Sequence, residues 1–415
     1  MSLFRTLLLL LLGAPVSAAD APVAPPAKPN VVVVVAADLG YGDLGCFDQK
    51  KLKTPALDAM AAQGIRFTQF YAGAPVRGPA WRVMLTGLHG GRAAVRGGPA
   101  GPAALPPGTP TVASVLKGAG YKTACAGALG IDAAGDQADP RGLGFDQAGR
   151  TVDDALAFIR GPHSAPFFVL VTVGAAAGAA GADDASADWP APAKAHAARV
   201  QDIDRDAGRV LALLKELGID KNTLVVFTSD TGPPAEGGLD PEFFDSNWKF
   251  RGVKGDILEG GIRVPMIARW PGTIPAGVQN DRQWYAGDLI ATAAELAGVK
   301  PPDGLDSDSL VAAMKGHVEK DVWKRRSPLY WESYEGKTAQ AVRFGKWKAI
   351  RSPMITGDLE LYDMSNDFGE KRDYAKRRPD LARHAVNLLD KHHRPDPNRA
   401  PAARPESPAG RGDSK

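Results

Sequence analysis

Cysteine is scarce. The 415 residues hold two, Cys46 and Cys125, too few for a disulfide-stapled scaffold. The pair either bridges or stays as two buried thiols, since sequence does not give the separation of their Cα atoms. An excess of one charge is missing too. The net charge is +3, which argues against a nucleic-acid or anionic-membrane surface. No segment approaches the roughly 20 apolar residues of a transmembrane helix. Internal repeats are absent. Hydrophobic residues at 44% and charged residues at 23% instead describe a soluble globular chain, long enough for one large or two unequal domains.

The N-terminus has the pattern of a secretory signal over residues 1–18. Arg5 supplies a positive start, Leu7 to Leu12 a short apolar run, and Val16-Ser17-Ala18 small residues for cleavage after Ala18. No cysteine follows for a lipid anchor. The expected location is secreted or periplasmic. Residues 19–27 are Ala/Pro-rich and form a linker.

Val31 to Val35 is apolar at every position, as in a strand buried on both faces. It ends in Ala37-Asp38-Leu39-Gly40. A helical segment from about Ala56 to Gln63 and a strand from Ile65 to Tyr71 follow. Further strands are expected at Tyr121 to Ala126, Phe167 to Val173 and Thr223 to Thr228. Helices are expected at Thr111 to Ala119 and, with apolar residues at helical spacing, at Ala195 to Leu217. This alternation predicts a mostly parallel sheet with crossover helices over residues 28–298. A smaller α+β domain is expected over 299–393, with a hairpin at Ala339 to Arg351 and a helix at Asp380 to Asp390. Residues 394–415 form a disordered Pro/Arg/Ala-rich tail, and its Arg411-Gly412-Asp413 reads as a chance match to an adhesion tripeptide.

Several ordered motifs carry a resemblance. They are Asp38-Leu39-Gly40-Tyr41-Gly42-Asp43, Thr54-Pro55-Ala56-Leu57-Asp58, Leu85-Thr86-Gly87, Phe227-Thr228-Ser229-Asp230, Glu259-Gly260-Gly261-Ile262-Arg263 and Glu360-Leu361-Tyr362-Asp363. Together they resemble the sulfatases of the alkaline phosphatase superfamily, from about Lys28 to Asp373. The resemblance implies an α/β sulfatase fold: a large mostly parallel sheet flanked by helices, plus a smaller C-terminal α+β domain.

It also implies a chemistry whose residues are largely gone. The family's Cys-x-Pro-x-Arg supplies a formylglycine nucleophile, but here the Cys position is Arg77 and the Arg position Trp81. A guanidinium is neither oxidisable to that aldehyde nor nucleophilic near neutral pH. Residues 74–82 contain no Ser, Thr or Cys. The family's calcium ligands are thinned to Asp38, Asp230 and Thr231, with Ala37 in place of a second aspartate. That count is low for a hard cation, so no bound calcium is expected. The sulfate-binding Lys position is Ala128, a Pro-His pair aligns with Ala176-Ala177, and Lys254 and Arg251 are the substrate-binding remnant. No histidine stands at a motif position. Without a metal, Asp38 and Asp230 would repel. Arg77 is therefore expected to pair with one or both in place of the cation, or else to swing outward. Trp81 is expected to fill space with apolar surface.

The expectation is a catalytically inactive family member that binds a sulfated or anionic glycan or a protein partner. The alternative is an active sulfuric- or phosphoric-ester hydrolase using non-standard residues. A third reading, a structural or adhesive protein, rests on the tail alone.

Overall fold

The computed structural model describes residues 28–92, 105–106, 108–129, 140–174, 187–316, 324–334 and 338–395. The expected leader, linker and tail beyond residue 395 lie outside these, as do His317 and Ala176-Ala177.

The large sheet is built from β1 (Asn30–Ala36), β2 (Ile65–Tyr71), β3 (Lys122–Ala126), β4 (Gln147–Gly149), β5 (Phe167–Val173), β6 (Thr223–Ser229), β7 (Met266–Arg269) and β8 (Val278–Tyr285). Their spatial order is β4-β3-β5-β1-β6-β7-β2-β8. β1 runs parallel to both β5 and β6, while β7 runs against β6 and β2. The valines of β1 are stiff at χ1 and suit extended backbone. Successive side chains point to opposite faces. Val31, Val33 and Val35 therefore enter one core layer, and Val32, Val34 and Ala36 the other. This explains why the run is apolar throughout rather than alternating.

Helices cover both faces: α1 (Pro55–Ala62), α2 (Arg77–Thr86), α3 (Val112–Gly118), α4 (Val152–Arg160), α5 (Ala191–Glu216), α6 (Glu259–Ile262), α7 (Asp288–Leu296) and α8 (Val311–Met314). α5 starts earlier than its sequence pattern predicts, because Pro192 falls in the first turn, where a missing N–H costs nothing. α2 ends at Gly87, whose φ of 69° suits glycine and whose N–H caps Val83 O at 2.9 Å.

The smaller domain is an antiparallel sheet of β9 (Leu329–Ser333), β10 (Ala339–Phe344), β11 (Trp347–Arg351) and β12 (Leu359–Asp363), in the order β12-β11-β10-β9. The hairpin between Phe344 and Trp347 turns at Gly345, as expected. One face packs on α9 (Pro379–His392) through Tyr330, Val342, Ala349, Leu361, Ala385 and Leu389. The other meets the large domain at Tyr71, Val83 and Tyr285.

A buried charge cluster crosses this seam. Lys348 Nζ donates to Glu259 Oε1 at 3.1 Å and lies 2.7 Å from Glu370 Oε1. Arg263 Nη1 donates to Glu259 Oε2 at 3.2 Å, and the Tyr71 hydroxyl donates to the same oxygen at 2.9 Å. Arg343 Nη1 lies 3.7 Å from it. Glu370 Oε2 accepts from Glu259 N at 2.9 Å. Burial opposes the Glu259 charge, but Lys348, Arg343 and Arg263 outweigh it and hold the carboxyl down to about 2. Glu370 shares Lys348, and burial pushes it up.

Cys46 and Cys125 are both free thiols. Burial and the adjacent Asp58 push the Cys46 thiol well up, so it is a packing residue rather than a reactive one.

Candidate functional site

The candidate site forms at the carboxyl ends of β1 and β6, where open α/β sheets collect ligand groups. Ala36 pairs with Ser229, and Asp230 N–H donates to Ala36 O at 3.0 Å. Asp38 follows at φ 51°, a left-handed conformation that aspartate tolerates better than most residues. Its N–H donates to Asp230 Oδ1 at 2.9 Å. The two acids the sequence singles out are thus brought together through backbone. Thr231 Oγ1 donates to Asp38 Oδ1 at 2.8 Å, and Lys254 Nζ donates to Asp38 Oδ2 at 2.9 Å. Glu236 lies 3.7 Å from the same ammonium.

Arg77 opens α2. Its Nε lies 3.5 Å from Asp230 Oδ2, and its Nη2 donates to Ala128 O. The side chain is 24% exposed while Asp230 is fully buried. The outward swing is not adopted. A cation at a helix N-terminus opposes the helix dipole, so this conformation is held by Asp230 and the Ala128 carbonyl. Trp81, four residues on and so on the same helix face, is fully buried. It fills space as expected, and it also donates its Nε1–H to Asp230 Oδ2 at 3.1 Å. Burial and the Asp38 charge raise the Asp230 carboxyl above its ordinary value. Arg77, the Asp38 N–H and the Trp81 indole pull the other way without cancelling the rise.

A second support comes from α5. Arg199 donates through Nη1 to Ala37 O at 3.0 Å and through Nη2 to Asp38 O at 2.9 Å. It anchors the loop that carries Asp38. His196 Nδ1 lies 3.4 Å from Arg199 Nη2. A guanidinium only donates, so Nε2 carries the imidazole proton and donates to Asp43 Oδ1 at 3.0 Å. Ser246 Oγ and Gly40 N also donate to Asp43, at 2.6 and 2.7 Å. Burial works against the Asp43 charge, but these donors lower its pKa overall.

Sequence reasoning missed Arg199 because it sits among the helical apolar spacing of α5 as one more polar position. It missed the Trp81 hydrogen bond because an indole in an apolar stretch gives no sign of where its N–H points.

Arg251 is engaged elsewhere. Its Nη2 donates to the Tyr362 hydroxyl at 3.2 Å, and its guanidinium lies 4.0 Å from Glu360. Of the remnant pair, Lys254 alone touches the acids. The nearby hydroxyls are occupied as well: Ser229 Oγ donates to Thr231 O at 2.8 Å and accepts from Leu39 N at 2.9 Å.

Calcium takes about six to eight oxygens. Asp38, Asp230 and Thr231 supply the side-chain oxygens here, and each carboxylate already faces a side-chain cation. Among the described residues no three metal-binding side chains gather at one point. This donor set does not fit calcium.

The profile of the family described as Sulfatase matches residues 29–299. This chain belongs to the sulfatase family. A second profile, N-sulphoglucosamine sulphohydrolase, C-terminal, matches residues 253–391 of the same sulfatase chain. The chain is 30% identical over 397 residues to the N-acetylgalactosamine-6-sulfatase of Rattus norvegicus, covering 78% of this chain and 71% of that one. It is 31% identical to the arylsulfatase A of Homo sapiens over 391 residues, covering 77% and 74%. The crystal structure of Ps i-CgsB in complex with k-i-k-neocarrahexaose superposes with a TM-score of 0.75 at 24% identity, covering 88% and 92%. That of the phosphonate monoester hydrolase of Agrobacterium radiobacter gives 0.65 at 19% identity, covering 91% and 100%. These two likenesses establish the sulfatase fold, with its large sheet and small antiparallel C-terminal sheet. Among the described residues no helix is long and apolar enough to cross a membrane.

Proposed function

We propose that this sulfatase-family chain is an exported protein without ester-hydrolase activity, which binds a sulfated or other anionic glycan, or a protein partner, without turning it over. One observation carries the reading: the Arg77 guanidinium, at the nucleophile position, rests 3.5 Å from Asp230. It supplies no nucleophile and places a fixed positive charge where a metal would need an oxygen. The site is self-neutralised, Asp38 by Lys254 and Asp230 by Arg77, and holds no calcium. Glycan contact falls to the half-exposed Arg251 and the accessible part of Lys254 at the rim. The complex of one fold relative with k-i-k-neocarrahexaose supports a glycan as the ligand. The secretory-signal pattern in the sequence of residues 1–18 supports export.

The test is turnover of aryl sulfate and aryl phosphate esters by the purified chain with calcium added. No release above buffer is expected. Turnover that Asp230→Ala abolishes overturns the proposal. Calorimetry with calcium alone is the independent check: no heat of binding is expected, and micromolar affinity refutes the self-neutralised site.

A further inference from the structure

The loop leaving α2 meets the end of α9 through two histidines. His89 Nε2 lies 2.9 Å from His392 Nδ1, and their rings form an edge contact at 4.9 Å. Tyr330 packs against both, at 5.1 and 5.7 Å. Gly91 comes so close that a Cβ there would stand 2.2 Å from His392 O.

The proton positions in this contact follow from one backbone group. Gly91 N–H donates to His89 Nδ1 at 3.2 Å. An amide can only donate there, so Nδ1 is bare and the His89 proton sits on Nε2. Nε2–H must then donate to His392 Nδ1, which leaves the proton of a neutral His392 on its own Nε2. Both hydrogen bonds exist only when both rings are neutral. A second proton on His392 sets two N–H groups against each other with no acceptor between them. A second proton on His89 does the same against Gly91.

We propose that His89 and His392 form an acid-sensitive latch that fastens the end of the C-terminal helix to the large domain and opens when either ring is protonated. The surrounding charges are of both signs. Asp306 Oδ2 lies 3.7 Å from His89 Nε2 and is the acceptor to which a freed His89 N–H turns. Arg92 neutralises Asp306 at 2.9 Å. Glu332 accepts from His393 Nδ1 at 2.8 Å, from Tyr330 at 2.6 Å and from Tyr334 at 3.0 Å. Lys391 and Arg394 flank His392 and disfavour a second cation, while the helix dipole at this terminus favours one. Burial is the largest influence on both rings: it lowers His89 to about 4 and shifts His392 downward. A histidine whose folded pKa is depressed contributes fully above its ordinary value of about 6.5 and loses that contribution as pH falls through the lowered one. The latch is therefore shut at neutral pH and opens in acid.

Hydrogen exchange of the full chain, read on peptides spanning 379–392 and corrected for intrinsic rates, tests this between about pH 7 and pH 4.5. The unaltered chain is expected to lose about tenfold or more in protection on acidification, as expected for one pK unit of coupling. His392→Asn puts a non-titrating acceptor near the Nδ1 position and should flatten that response. His384→Asn, on the same helix but packed on Phe344, should keep it. If His392→Asn fails to fold, His89→Gln provides the same comparison. Unchanged protection in the unaltered chain at acid pH overturns the latch. So does an acid response in a folded His392→Asn chain equal to that of the unaltered one.

Discussion

Two buried carboxylates, Glu259 at the domain seam and Asp230 at the ends of β1 and β6, respond to protons in opposite directions. At the seam, Glu259 is surrounded by Lys348, Arg343 and Arg263, and its carboxyl is held down to about 2. Its contribution is present above the ordinary carboxylate range and lost only as pH falls toward that value. At the strand ends, Asp230 faces Asp38 and has Arg77 at 3.5 Å as its cation, and its carboxyl is raised. Its contribution is fullest below the ordinary carboxylate value and lost as pH rises through the raised one. One cluster was built around side-chain cations. The other has a single guanidinium, from a helix end, beside its buried acid.

The comparison breaks most sharply at Lys348. Lys348→Met takes the ammonium from buried Glu370 and one of three cations from Glu259, and a loss of about 3–5 kcal/mol is expected, read as a fall in the denaturation midpoint. A smaller loss would mean that one acid simply takes a proton. Arg77→Met should cost less, about 1–3 kcal/mol at neutral pH, because Asp230 retains donors and its charge can be quenched. That deficit should shrink toward acid pH, where a protonated Asp230 needs no cation; a pH-independent deficit would show that Arg77 acts through packing alone. Trp81→Phe removes one donor to Asp230 and should cost about 1 kcal/mol, with little change at the seam. In the reverse direction, Ala37→Asp combined with Arg77→Ser restores an oxygen-rich set. It should make the melting temperature rise with added calcium, whereas no such rise is expected for the unaltered chain.

The sequence carried the large sheet well where strands are buried on both faces, as in β1, β5 and β6, since an unbroken apolar run has few other homes. It said little about β7, four residues long, or about β8, whose outer half Val278 to Arg282 is largely polar because it lies on the sheet edge. Asp38 and Asp230 were legible from strand ends and family motifs. Their partners were legible only in part. Arg77 stood out by replacing a nucleophile, but its choice of Asp230 over solvent depends on the Ala128 carbonyl 51 residues away. Glu259 was visible as a motif residue, while Lys348 lies 89 residues further along the chain and reads as an ordinary charged position in a strand. Pairings of that reach are set by how the two domains dock, which local spacing does not encode.

The convergence of Arg77 and Trp81 on a single oxygen of Asp230 ties the two positions together. A cysteine at position 77 alone leaves the indole bound to that oxygen. An arginine at position 81 alone sets two guanidinium groups beside one buried acid. Changes at the two positions are therefore coupled, and their effects on stability should depart from additivity.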